Sequence, residues 1–247
     1  MKTNNNSALI KIFVLAYLSV LCVSQGYDFF YFVQQWPGSY CDTKKGCCNP
    51  TTGQKPAANF TIIGLWPRLN NGTYPKSCDL NNPYDESQIS DLISSMQKEW
   101  PSLSCPGSNG TNLWAYEWNR HGTCSESVLD QHDYFQANLN FKNNVNVLHA
   151  LRTAGIEPDG NFYSVESIKA AIKEGTGFTP GITCNVDPSG NSQLYQIYFC
   201  VDASGSEFFE CSVFPKGNKP CASEVEFPIF TEIGETYIPT FGNSYFQ

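Results

Sequence analysis

The sequence predicts an α+β fold, with helices packed on a mostly antiparallel sheet. Three observations carry that expectation. Two β-prone runs open the chain, "YDFFYFVQQW" at 27–36 and "NFTIIGLW" at 59–66. Helical patterns then occupy much of 84–174, and residues 182–214 hold two β-runs after D-P-S-G and D-A-S-G turns. Those turns read as the corners of an antiparallel meander.

The elements follow in order. Residues 27–36 are aromatic enough to be a buried strand, and 59–66 supply a second. "YDESQISDLISSMQKEWP" (84–101) predicts an amphipathic helix with Ile89, Leu92, Ile93 and Met96 as its stripe. Asp85 and Gln88 would form its capping box, and Pro101 its stop. Another helix is expected from near Asn112 to Gly122. Helical segments follow around 133–143, 145–154 and 164–174, the last opened by Ser164 and closed by Gly175. There are no repeats, low-complexity tracts or linkers, which predicts one domain over 27–247. The tail from 228 carries no cysteine, and its role is not readable.

The first 26 residues are expected to lie outside that domain. Lys2 and Lys11 flank the start of a short apolar run, "IFVLAYLSVLCV", which ends at "SQG". This is the pattern of a cleaved secretory signal, and the expected destination is extracellular, with the vacuole as alternative. No later run approaches the roughly 18 apolar residues of a membrane span, so no membrane association is expected. Of 11 cysteines, Cys22 falls in the leader. The other ten are Cys41, Cys47, Cys48, Cys78, Cys105, Cys124, Cys184, Cys200, Cys211 and Cys221. In an oxidising compartment that even number predicts five disulfides. With no C-x-x-C pair and only three histidines, no metal site is predicted from cysteine and histidine spacing.

Charge narrows the partners. Fifteen basic against 23 acidic residues give −8; without Lys2 and Lys11 the count is 13 − 23 = −10. A chain this acidic is not built to grip nucleic acid along many phosphates. A short piece in a local pocket is the most it could hold.

The chemistry concentrates in "WAYEWNRHGTCSES" (114–127). Glu117, Arg120 and His121 stand at i, i+3 and i+4, so a helix puts carboxylate, guanidinium and imidazole on one face. That set suits acid–base work on an anion, the alternative being an ordinary surface charge cluster. "FTIIGLWPRLNNGTYPKSC" (60–78) is the natural partner segment. A Cys78–Cys124 bridge would join the two, although spacing alone does not select that pairing. Asn59, Asn71 and Asn109 each begin an N-x-S/T sequon; Asn71 and Asn109 fall in predicted loops.

"FVQQWPGSYC", "FTIIGLWP" and "YEWNRHGTC", in this order, resemble the ribonuclease T2 family, in particular the S-like extracellular ribonucleases of plants. The likeness runs from Tyr27 to about Phe230 and includes all ten cysteines. It implies an α+β monomer needing no cofactor, acting on single-stranded RNA or nucleotides and not on DNA. One histidine would take the proton from the ribose 2′-hydroxyl, and another would protonate the departing 5′-oxygen, leaving a 2′,3′-cyclic phosphate. The family patterns are F-T-I-H-G-L-W-P and H-E-W-x-K-H-G-T-C. Here Ile63 stands where the first has its histidine, Tyr116 where the second opens with one, and Arg120 in place of lysine; Glu117 and His121 match. Gln35 and Tyr40 match base-contacting positions, Trp66 falls near the implied cleft, and Leu113 occupies a base-site position that can carry an aromatic. His132 and His149 sit in later helical segments and read as structural. A ribonuclease-like protein strongly impaired in cleavage is therefore expected, binding RNA weakly and serving in storage, defence or binding. The alternative is a working endoribonuclease with His121 as base.

Overall fold

A computed structural model describes residues 26–215 and 220–231. The expected leader and most of the C-terminal tail lie outside the described residues. Strands β1 (Phe29–Gln35) and β2 (Thr61–Arg68) pair antiparallel, and β1 pairs antiparallel with the long β5 (Ser192–Asp202). β5 in turn carries β4 (Gly181–Val186) and β6 (Phe208–Phe209), which is the predicted meander. The path continues through β7 (Glu224–Glu226) to β3 (Phe162–Ser164). Among the described residues one contact departs from antiparallel pairing: β5 meets β7 in parallel at Gln193 and Glu226.

β1 alternates as a two-faced strand should. Phe30 and Phe32 enter the main core under the helices, while Phe29, Tyr31 and Val33 face a second cluster with Tyr198 and Cys200. β2 does not alternate simply. Val33 pairs with Gly64 and Gln34 with Ile62, so Ile63 is an extra, bulged residue. Plain alternation would put residues 61, 63 and 65 on one face. The bulge instead places Ile62 and Leu65 in the main core and Ile63 and Trp66 against the second cluster.

The helices are α1 (Pro37–Cys41), α2 (Ile93–Glu99), α3 (Thr111–Arg120), α4 (Gln131–Asn144), α5 (Val147–Thr153) and α6 (Val165–Thr176). The single helix expected over 84–101 is divided into a 3-10 turn, Glu86–Ile89, and α2. Ser87, Ser90 and Asp91 carry short polar side chains that compete for backbone groups and weaken a first helical turn. Asp85 serves the amide and hydroxyl of Ser87, a local turn in place of the expected box with Gln88. Ile89, Leu92 and Met96 are buried as predicted. Ser164 caps α6 through the Ser167 amide, but the helix runs past Gly175 to a left-handed Gly177. Gly175 has a packing role: a Cβ there would lie 2.4 Å from the Cβ of Ala150.

Five disulfides link Cys41–Cys47, Cys48–Cys105, Cys78–Cys124, Cys184–Cys221 and Cys200–Cys211. The start of the tail belongs to the core. The Trp36 indole donates to the Pro228 carbonyl at 2.8 Å, and Phe230 is buried against the Trp36 ring. Among the described residues no helix is long and apolar enough to cross a membrane.

Candidate functional site

The site forms where the end of α3 meets the end of β2. Trp114, Glu117 and Trp118 form the inward stripe of α3, at the spacing that puts them on one face. His121 closes the helix, its amide donating to the Glu117 carbonyl at 2.9 Å. Gly122 then permits a tight turn beneath Trp118, because a Cβ at 122 would come within 2.2 Å of that ring. The β2 side is fastened by the Cys78–Cys124 disulfide, as the sequence suggested. Two backbone amides reinforce it: Ser77 donates to the Arg120 carbonyl at 2.9 Å and Cys78 to the Thr123 hydroxyl at 3.1 Å.

Trp66 joins the two elements. Its indole donates to Glu117 Oε2 at 2.8 Å, and its ring lies 5.4 Å from the His121 imidazole at a shallow 30°. Gly64 makes room for this contact: a Cβ would sit 2.4 Å from Trp66 Nε1 and 2.5 Å from Glu117 Oε2. Neither neighbour can retreat cheaply, since Glu117 is buried and has Trp66 as its donor. Gly64→Ala should lower stability by about 1–3 kcal/mol in urea unfolding, the ordinary cost of overpacking. The indole environment should change with it, as read by tryptophan fluorescence.

Burial dominates the electrostatics. Glu117 is 4% exposed and His121 6%. Desolvation pushes the Glu117 carboxyl up to about 8, against the smaller opposing effects of Trp66 and Arg120. It pushes the His121 imidazole down to about 3, with Arg68 and Arg120 adding in the same direction. His121 Nδ1 is buried without a hydrogen-bond partner. Near neutral pH the site therefore holds an uncharged carboxyl, an uncharged imidazole and two guanidinium cations. In a chain of net −8 this is a local positive pocket suited to an anion.

The sequence did not single out Arg68. Its guanidinium lies 5.4 Å from the Tyr31 ring, 5.5 Å from Trp66 and 4.5 Å from Tyr74. Its Nε is buried without a partner. The available signal was modest, a lone arginine directly after a Trp-Pro corner. Arg120 approaches Tyr116 at 5.7 Å, and Tyr116 is 54% exposed on the outer side of α3.

The remaining predicted residues divide. Ile63 is half-buried and packs with Trp66 against the second cluster. Gln35 is buried in β1, its carbonyl accepting from the Thr61 hydroxyl. Tyr40 lines a separate groove of about 670 Å³ with Tyr195, Lys44 and Lys45, which includes none of Glu117, Arg120 and His121. Leu113 packs against the main core. His132 pairs with Asp91 at 3.1 Å, and His149 faces solvent at the start of α5. Asn71 and Asn109 are exposed; Asn59 is half-buried, its side chain accepting from the Phe60 amide.

A mostly antiparallel sheet thus carries a buried imidazole, a carboxyl and two guanidinium groups at one corner, a set suited to holding an anion. The chain belongs to the ribonuclease T2 family, whose profile matches residues 27–211. It is 58% identical over 223 residues to Extracellular ribonuclease LE of Solanum lycopersicum, covering 90% of this chain and 96% of that one. It is 56% identical over 233 residues to Intracellular ribonuclease LX of the same plant, covering 94% and 97%. The crystal structure of RNase NT in complex with 5′-AMP superposes with a TM-score of 0.79 at 53% identity, covering 83% of this chain and all of that one.

Proposed function

We propose that this chain binds RNA or nucleotides in the Trp66–Glu117–His121–Arg120 cleft and cleaves RNA poorly or not at all. The observation that carries the proposal is the pairing of a neutral, buried His121 with an isoleucine at position 63. Burial and two neighbouring cations keep His121 uncharged over almost the whole pH range, so it carries no proton to give, and at about 3 it is also a weak base. Ile63 has no proton either. A transphosphorylation needs both a proton taken and a proton given. Binding is supported by the two guanidinium groups, which can fork onto phosphate oxygens, and by the rings of Trp66 and Tyr74. The nucleotide in the RNase NT structure is in keeping with this. Secretion, glycans at Asn71 and Asn109, a monomeric state and a role in storage, defence or binding belong to the same proposal.

A second reading rests on Glu117. A carboxyl held neutral up to about 8 is itself a proton donor at neutral pH, and could protonate the leaving oxygen in a working endoribonuclease. The two readings part in one assay. The mature chain, folded under oxidising conditions, is tested for metal-independent release of 2′,3′-cyclic nucleotides, beside His121→Ala and Glu117→Gln. The binding reading expects only slow cleavage in the parent, with 5′-AMP affinity retained. A fast parent rate that falls above pH 8 and vanishes in both variants would establish the enzyme instead.

A further inference from the structure

Away from the cleft, four segments bring oxygen atoms together at the lower edge of β5. Asp42 follows α1, Asp187 begins the β4–β5 turn, and Glu226 ends β7. One carboxylate oxygen from each lies within 4.8 Å of the other two. Three acidic groups of this kind are common on surfaces, and alone they indicate nothing. The fourth residue changes the case. Gln193 is wholly buried, and it is the register partner of Glu226 in the β5–β7 bridge. Its Nε2 donates to Asp42 Oδ2 at 2.6 Å, so its amide head reaches the cluster, yet its Oε1 is buried with no partner. Glu226 Oε2 is likewise buried and unpartnered.

We infer that Asp42, Asp187, Glu226 and the Gln193 amide oxygen form a calcium-binding site. The chemistry is that of a hard cation: carboxylate and amide oxygens only, with neither nitrogen nor sulfur. Oxygens within 4.8 Å of one another can share one ion at the roughly 2.3–2.6 Å typical of calcium. Turning the Gln193 amide by half a rotation would present Oε1 to the ion in place of Nε2, giving its orphaned oxygen a partner. Magnesium fits less well, because it demands near-octahedral geometry and keeps its water. The ion would tie α1, the β4–β5 turn and the β7 segment together. This site lies apart from the Trp66–Glu117–His121–Arg120 cleft, although Asp187 also lines the groove that holds Tyr40, and it does not rest on the function proposed for that cleft.

The test is thermal unfolding and calorimetry of the full oxidised protein, stripped with EDTA and then titrated with CaCl2. At a hundredfold excess over Kd the Tm should rise by about 5–10 °C. MgCl2 at equal ionic strength should produce a much smaller rise. Glu226→Gln and Asp187→Asn should abolish the calcium response; in EDTA Glu226→Gln should melt no lower than the parent, because it relieves repulsion, while Asp187→Asn should melt somewhat lower, because it weakens the bonds that Asp187 accepts from the Asn191 amide and side chain. Absence of calcium binding by calorimetry in the folded parent overturns the assignment. So does an equal Tm rise in parent and variants, or an equal rise with magnesium.

Discussion

Replacing Ile63 by histidine should raise RNA cleavage by about 10²–10⁴-fold, the usual contribution of a positioned general acid. Position 63 is where the family pattern has histidine, and the bulge in β2 turns this residue to the same side of the sheet as Trp66. Trp66 in turn lies against His121. The exchange removes a branched apolar group that cannot solvate a dianionic transition state, and it adds an imidazole able to give a proton. Both effects act in one direction. Ile63 is half-buried, outside the main core, so the substitution should cost little stability. The measurement is the rate of cyclic-nucleotide release at pH 5–8, with 5′-AMP affinity as the control for an intact cleft. In the variant the rate should fall as pH rises and the introduced imidazole loses its proton, an alkaline limb absent from any residual parent activity. Equal rates in parent and variant would mean that another group already supplies the proton, and Glu117 is the group to examine.

How far the sequence shows this site depends on which physical signal marks each residue. The α3 triple was legible because helical spacing alone puts residues 117, 120 and 121 together. Strands β1, β2 and β5 were legible because their runs are long and aromatic, whereas the three-residue β3 and β7 were not, since so short a run carries no alternation to read. The Cys78–Cys124 bridge could be suggested but not chosen, since ten cysteines pair through tertiary contact that spacing does not encode. The bulge at Ile63 was invisible. It follows from how β2 registers against β1, and a period-two reading cannot see an inserted residue. The same limit hid Arg68, whose role comes from rings contributed by Tyr31 on the neighbouring strand and Tyr74 in the following loop. The Asp42–Asp187–Glu226 cluster spans 184 residues (226 − 42) and has no local pattern at all. Electrostatic state was the least readable property. The triple reads as charged in sequence, whereas burial leaves two of its three members neutral.

That neutrality makes stability depend on pH in a way one substitution can isolate. Glu117 has its folded value raised from 4.5 to about 8, so the unfolded chain releases this proton first. Its contribution is fully present below pH 4.5 and is lost as pH rises through 8. His121 behaves oppositely, lowered from 6.5 to about 3. Its contribution is present above pH 6.5 and is lost as pH falls through 3. Between about 4.5 and 6.5 the folded and unfolded states bind one proton each at this pair, and the two slopes cancel. Above 6.5 only the folded state retains a proton, and below 4.5 the unfolded state holds more. The pair therefore gives a plateau from about pH 4.5 to 6.5 with decline on both sides. The alkaline decline amounts to about 2 kcal/mol between pH 6.5 and 8. Glu117→Gln keeps an acceptor for the Trp66 indole but has no proton to lose. In the variant the plateau should vanish: stability should climb from pH 3 to 6.5 on the His121 slope and then stay level. The difference between parent and variant should thus change by on the order of 5 kcal/mol from pH 4.5 to 8. Urea unfolding at half-unit pH steps reads it directly. Parallel curves for the two proteins would show that Glu117 is ionised in the folded state at neutral pH, and with that the donor role considered for it would fail.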